Sequence, residues 1–258
     1  MSEGDTIHRA ARRMRAVLEG EVPQQILTPH PRHRADGWPQ RLRGRAVLSV
    51  DAHGKHLFVR FEGDLTLHSH LRMSGLWTIG REGESRRRTP GRAWIVLRNQ
   101  GWEAVEFDGP VLELVSDRRI RSDPRIATLG QDVLADGFDA ARFLSRLRAN
   151  DPARTLGDAL LDQRTVAGIG NLWKSELCFA AAIDPWRALS SVTDERALEL
   201  MDLARTRMRV AVEAGVRARP RAVYRRAGMP CVRCGTTIRR RGQGDNNRST
   251  YWCPGCQS

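Results

Sequence analysis

The chain has 258 residues, 43 Lys+Arg against 30 Asp+Glu, a formal net charge of +13 and a pI near 11.0. That length suits one large domain or two to three modules, and the charge selects a polyanionic partner, nucleic acid ahead of an anionic membrane. The start has no apolar run behind basic residues, and no stretch approaches the ~20 apolar residues of a spanning helix, so a secreted or membrane-spanning protein is not expected and a cytoplasmic one is.

In chain order, Asp5 to Gly20 reads as a helix, with Ile7, Ala11, Met14, Val17 and Leu18 at helical spacing and Gly20 as its stop. From 45 to 116 the period shortens. Ala46–Val50, His56–Phe61, Leu65–His70, Ala93–Leu97 and Val111–Val115 are short β-rich runs separated by glycine and charged turns, the pattern of an antiparallel sandwich or barrel. Arg81–Arg92 is a polar loop. Beyond Leu129 the chain turns helical, with helices expected over Asp139–Ala149, Ala153–Asp162, Asn171–Ala182 and Asp194–Ala214. Within them, Gly168-Ile-Gly170-Asn171 forms a turn into a new helix, where backbone N–H groups and the helix dipole suit a phosphate; an ordinary helix–helix turn is the plainer alternative. Cys178 lies in an apolar stretch and is expected as a buried thiol.

A basic linker, 217–230, leads to Cys231-Val-Arg-Cys234 and Cys253-Pro-Gly-Cys256, two knuckles with eighteen residues between them. Two C-x-x-C pairs offer four thiolates to one ion in a closed tetrahedral site, so a structural Zn²⁺ is expected on Cys231, Cys234, Cys253 and Cys256. Two disulfides would need an oxidising compartment, which nothing else in the chain suggests. Lys55 and Lys174 are the only lysines, and Arg217 to Arg248 holds ten arginines against one acid, Asp245. The positive charge is therefore concentrated on the C-terminal module.

Met1-Ser-Glu-Gly-Asp-Thr6, Gly54-Lys-His-Leu57, His70-Leu-Arg-Met-Ser-Gly75, the Gly168–Asn171 turn and Arg248-Ser-Thr-Tyr-Trp-Cys253 occur in that order along the chain. Together they resemble the formamidopyrimidine-DNA glycosylase/endonuclease VIII family, DNA repair enzymes for oxidised bases. The resemblance runs end to end. It implies an α+β multidomain protein: an N-terminal two-sheet β-sandwich with a leading helix (1–130), a helix–two-turn–helix domain (131–222) and a zinc-ribbon β-hairpin (223–258). It also implies a monomer that binds double-stranded DNA carrying an oxidised base or an abasic site.

The same resemblance implies roles residue by residue. Members begin Met-Pro-Glu, and the proline amine attacks C1′ of the damaged nucleotide; this chain has Ser2. With Met1 removed, Ser2 exposes a primary α-amine, whose pKa of ~7.7–8.0 against ~10.4 for lysine leaves roughly a tenth as free base at neutral pH. Glu3 corresponds to the acid that donates a proton as the sugar ring opens, which a carboxyl with a raised pKa can do. Lys55 corresponds to a phosphate contact and proton donor in β-elimination. Arg248 corresponds to the hairpin arginine that grips the phosphate beside the lesion and serves δ-elimination. Gly170 and Asn171 correspond to backbone-phosphate contacts, Met73 to a wedge in the base stack, and Arg118 and Arg119 to residues that fill the void. Without the resemblance, Glu3, Lys55 and Arg248 read as solvated charges, Asn171 as a helix cap and Met73 as a core methionine.

Two further features separate the branches. The spacing of the knuckles suggests an extended hairpin tip, and the short Gly215–Pro230 linker leaves no room for the long lesion-capping loop of the purine-specific branch. The short linker favours the endonuclease VIII side and oxidised pyrimidines. The rival reading is a non-catalytic binder of damaged or abasic DNA, its nucleophile lost with the proline. A general zinc-ribbon nucleic-acid protein leaves the N-terminal match unexplained.

Overall fold

A computed structural model describes residues 2–84, 90–244 and 247–258. Residues 85–89 of the expected Arg81–Arg92 loop, together with Met1, Asp245 and Asn246, lie outside the described residues. The chain forms two compact units, Ser2 with Thr6–Ala127, and Glu3–Asp5 with Thr128–Ser258.

The first unit begins with helix α1 (Gly4–Leu18), then β1 (Gln25–Leu27), two short helices α2 (Pro31–Arg34) and α3 (Trp38–Leu42), and the strands β2 (Val47–His53), β3 (His56–Phe61), β4 (Leu65–His70), β5 (Leu76–Arg81), β6 (Ala93–Asn99), β7 (Trp102–Phe107) and β8 (Val111–Val115). Helices α4 (Asp117–Ser122) and α5 (Pro124–Ala127) close it. The strands make two antiparallel four-stranded sheets, ordered β2-β3-β4-β8 and β1-β6-β7-β5. This is the two-sheet arrangement expected. The apolar stripe of α1 (Ile7, Met14 and Leu18) packs with Leu57, Val59 and Phe61 of one sheet and with Trp77, Ile95 and Leu97 of the other in a single core. A second cluster of Ala93, Val96, Val105 and Phe107 buries the other face of β6 and β7. Strand β7 is buried on both faces and loses the apolar–polar alternation, so its sequence does not read as a half-buried strand.

The second unit runs β9 (Gln131–Asp132), α6 (Ala140–Arg148), α7 (Leu156–Leu161), β10 (Val166–Ala167), α8 (Asn171–Ala180), α9 (Asp194–Ala214) and the antiparallel hairpin β11 (Arg239–Gln243) and β12 (Arg248–Trp252). Helix α7 starts later than expected because Asp151 turns the chain: its carboxylate accepts from the Ala153 N–H at 2.8 Å. Val133, Phe143, Leu147, Leu160, Trp173, Leu200 and Met208 form the helical core. Cys178 is fully buried, and burial pushes its thiol up to about 12, as expected of an inert core cysteine. Several arginines are structural: Arg205 donates to the Val133 and Ala135 carbonyls, and Arg148 to those of Leu189 and Val192. No described helix is long and apolar enough to cross a membrane.

Candidate catalytic and nucleic-acid site

The second unit holds Glu3 at 1% exposure. Its carboxylate accepts hydrogen bonds from the Leu172 and Trp173 backbone N–H groups, at 2.9 and 3.1 Å. These are orphan donors of the first turn of α8, and the helix dipole adds to their attraction for the charge. Glycine is required beside it: a Cβ on Gly170 would overlap the Glu3 carboxyl group. The Gly168–Asn171 turn thus receives a carboxylate of the chain itself, an occupant the sequence reading did not foresee. The Gly4 N–H donates to the Gly168 carbonyl at 2.9 Å, and Asp5 accepts from Trp173 Nε1 at 3.0 Å and from both arms of Arg219 at 2.6 Å. Three consecutive residues near the N-terminus are therefore fastened to α8 and to the linker that follows α9.

Asn171 opens α8 behind an N-cap at Gly170 and does not itself cap the helix. Its side-chain amide donates to the Ser249 carbonyl at 2.8 Å, on the hairpin, while its buried Oδ1 has no partner among the described residues. Arg248 begins β12, exposed, opposite Gln243. Glu176, further along α8 and 1% exposed, accepts from the backbone N–H groups of Ala222, Val223 and Tyr224 at 2.9, 2.9 and 2.7 Å, pinning the linker. Neither Glu176 nor Arg219 was singled out from the sequence. Both act on partners more than forty residues away, a distance no local spacing reports.

At the base of the hairpin the four cysteine sulfurs lie within 4.8 Å of one another, with Cys231–Cys256 at 3.8 Å and Cys234–Cys253 at 3.4 Å. A tetrahedral zinc with Zn–S bonds of ~2.3 Å sets its sulfurs ~3.8 Å apart, so the donor set fits one structural Zn²⁺. None of the five cysteines is in a disulfide.

In the first unit, Lys55 sits on the two-residue turn joining β2 to β3, where His53 pairs with His56. A histidine cluster adjoins it, which the sequence reading missed because its members are spread over two strands. His56 Nδ1 and His68 Nε2 are 2.9 Å apart, and the His56 and His70 rings are 4.5 Å apart. Burial, then the charges of Lys55 and Arg72, hold His70 down to about 4. Burial and the neighbouring histidines His70, His68 and His53, with Arg125, hold His56 down to about 2. Met73 follows β4 in a turn and is 60% exposed, so it is no core methionine. Arg118 and Arg119 are exposed on α4. Ser2 is part-buried just ahead of α1.

Three family models together cover nearly the whole chain: the formamidopyrimidine-DNA glycosylase N-terminal domain over residues 1–122, its H2TH domain over 129–219, and the zinc finger found in FPG and IleRS over 228–258. A probable endonuclease 8 2 of Streptomyces coelicolor is 41% identical, with 100% of this chain and 94% of that protein aligned. The chain belongs to the formamidopyrimidine-DNA glycosylase/endonuclease VIII family. A DNA-(apurinic or apyrimidinic site) lyase Nei2 of Mycolicibacterium smegmatis, 38% identical over 100% of this chain and 99% of its own, supports the endonuclease VIII branch. The fold agrees: a Lactococcus lactis Fpg solved with abasic-site DNA superposes with a TM-score of 0.80 at 22% identity, covering 99% of both chains. For this family member the four-cysteine cluster is the zinc finger, and the helices around α8 form the H2TH module.

Proposed function

We propose that this chain is a base-excision repair enzyme, a bifunctional DNA glycosylase and AP lyase that removes oxidised pyrimidines and nicks the strand by β- and δ-elimination. It acts as a monomer on double-stranded DNA, in the cytoplasm, and is associated with the nucleoid when bound to DNA. The observation that carries this reading is Glu3 seated on the first turn of α8, which fixes the residue next to Ser2.

Removal of Met1, which lies outside the described residues, frees the Ser2 amine. The amine attacks C1′ and the base departs with its bonding pair. Glu3 accepts the proton that the Ser2 nitrogen sheds after attack and passes it to the ring oxygen as the sugar opens, leaving a protonated Schiff base between C1′ and the Ser2 nitrogen. Loss of a C2′ proton then expels the 3′-phosphate, and a second elimination expels the 5′-phosphate. Lys55 donates a proton in the first elimination and, like Gly170 and Asn171, contacts backbone phosphate. Arg248 grips the phosphate beside the lesion through its planar fork. Met73, exposed on its turn, wedges the stack, while Arg118 and Arg119 fill the space the lesion leaves. Zinc supplies no chemistry; Cys231, Cys234, Cys253 and Cys256 use it to hold the hairpin that carries Arg248. The division 1–130, 131–222 and 223–258 follows these roles.

Gel assays of wild type and Ser2→Pro on abasic and oxidised-pyrimidine duplexes test the reading, with the N-terminal mass checked first. Wild type lacking Met1 is expected to give β- and δ-products. Binding without nicking by that protein, alongside nicking by Ser2→Pro, would make the natural chain a binder.

A further inference from the structure

Beneath the hairpin lies a lysine that the proposed reaction leaves unused. Lys174, on α8, is fully buried. Its ammonium donates to the Thr250 hydroxyl and to Gln243 Oε1, the latter at 3.3 Å, and the Thr250 hydroxyl donates to the same Gln243 oxygen at 2.7 Å. Gln243 Nε2 in turn donates to Thr155 Oγ1 and to the Pro185 carbonyl, both at 2.8 Å. Thr250 and Gln243 are 0% and 4% exposed. Gly157 makes the space, since a Cβ there would come within 2.6 Å of Gln243 Oε1. The network joins both hairpin strands to α7 and α8, and Gln243 is the residue paired directly with Arg248. Contacts on either side, Asn171 to Ser249 and Ser175 to the Tyr251 N–H, leave Lys174 the central of three α8 residues gripping β12.

A buried ammonium bonded to neutral oxygens is costly, and an apolar side chain of similar volume is often as stable there. What the charge contributes is register, because a fully satisfied polar network admits one arrangement where apolar packing admits several. We infer that Lys174 is a positioning residue, which locks the hairpin so that Arg248 is presented to the lesion phosphate. The inference rests on the proposed role of Arg248. Lys174 is not an alternative nucleophile, since its amine is closed off under the hairpin. Burial holds it down to about 8, opposed by Cys178 and Asp158 and by Glu3, and reinforced by Arg248. The lock therefore weakens as pH rises through about 8.

A double-mutant cycle between Lys174→Met and Arg248→Ala tests this, read as KM and kcat on an abasic duplex, with zinc content and melting checked. Arg248→Ala is expected to raise KM at least tenfold, Lys174→Met to raise it comparably with kcat less affected, and the double variant to be within about twofold of Arg248→Ala, because residues acting as one unit are non-additive. Between pH 7 and 9 the KM of wild type should rise and that of Lys174→Met stay level; the Ser2 amine, titrating in the same window, acts on kcat. Effects that multiply in the double variant, or a Lys174→Met enzyme matching wild type, would overturn the inference while leaving the role of Arg248 intact. An Arg248→Ala enzyme as active as wild type would overturn that role itself. If Lys174→Met fails to fold, Thr250→Val breaks the same lock and takes its place in the cycle.

Discussion

Glu3 illustrates how surroundings change what a residue can do. Alone it is a charge near the N-terminus; against α8 it is a buried carboxylate held by two amides and a helix dipole, with Gly170 giving it room. Glu3→Gln keeps the hydrogen-bonding volume but cannot relay a proton. Base release under single turnover should fall by about 10²–10⁴, the usual range for a positioned acid, with melting and zinc content unchanged. A fall below threefold would show that Glu3 is structural.

At the scale of elements, the first unit carries opposing titrations. Glu106 on β7 is wholly buried, with only Ser69 among the described residues bonded to it, at 3.0 Å, and burial raises its carboxyl well above the ordinary range. A carboxyl whose folded pKa is raised binds its proton more tightly when folded, so stability falls as pH rises above its unfolded value of ~4.3. His56, His68 and His70 are all depressed, so the folded state resists their protonation and stability falls as pH drops below ~6.5. Glu106→Gln should raise the midpoint of thermal unfolding at pH 8 more than at pH 5; equal shifts at both would contradict a neutral Glu106. The hairpin is held differently. Its small core of Phe179, Val223 and Ile238 is completed by Cys231 and Cys253, so chelating the zinc should unfold it and abolish nicking, with restoration on adding Zn²⁺. Full activity in the chelated protein would remove the zinc from the account.

These elements also show what the sequence makes readable. Strands β3 and β4, rich in β-formers and bounded by turns, and the uncapped pattern of α1 were legible, as was the zinc cluster from spacing alone. Strand β7 was not, because Glu103 and Glu106 put buried acids where a strand pattern expects apolar residues. Helices α2 to α5, of four to six residues, are too short for a helical period. The roles of Glu3, Lys55, Asn171 and Arg248 came from resemblance to a family, and the histidine cluster, the Glu176 clamp and the Lys174 network needed the fold, since they join residues distant in sequence.

At the scale of the molecule, 43 basic residues against 30 acidic ones give a field suited to DNA, though arginines such as Arg148 and Arg205 are spent on helix ends and loop carbonyls. Binding to an abasic duplex should weaken steeply with salt, by about one unit of logarithmic slope per phosphate engaged, and Arg248→Ala should lower that slope by about one. A flat dependence would contradict phosphate binding. At the opposite end of the chain, Ser2 stands in place of the proline with which family members begin after Met1. Borohydride reduction during reaction with abasic duplex, followed by peptide mass analysis, tests it most directly. The account predicts a covalent DNA adduct on the Ser2 amine of protein lacking Met1; no adduct, or one on Lys55 or Lys174, would contradict it.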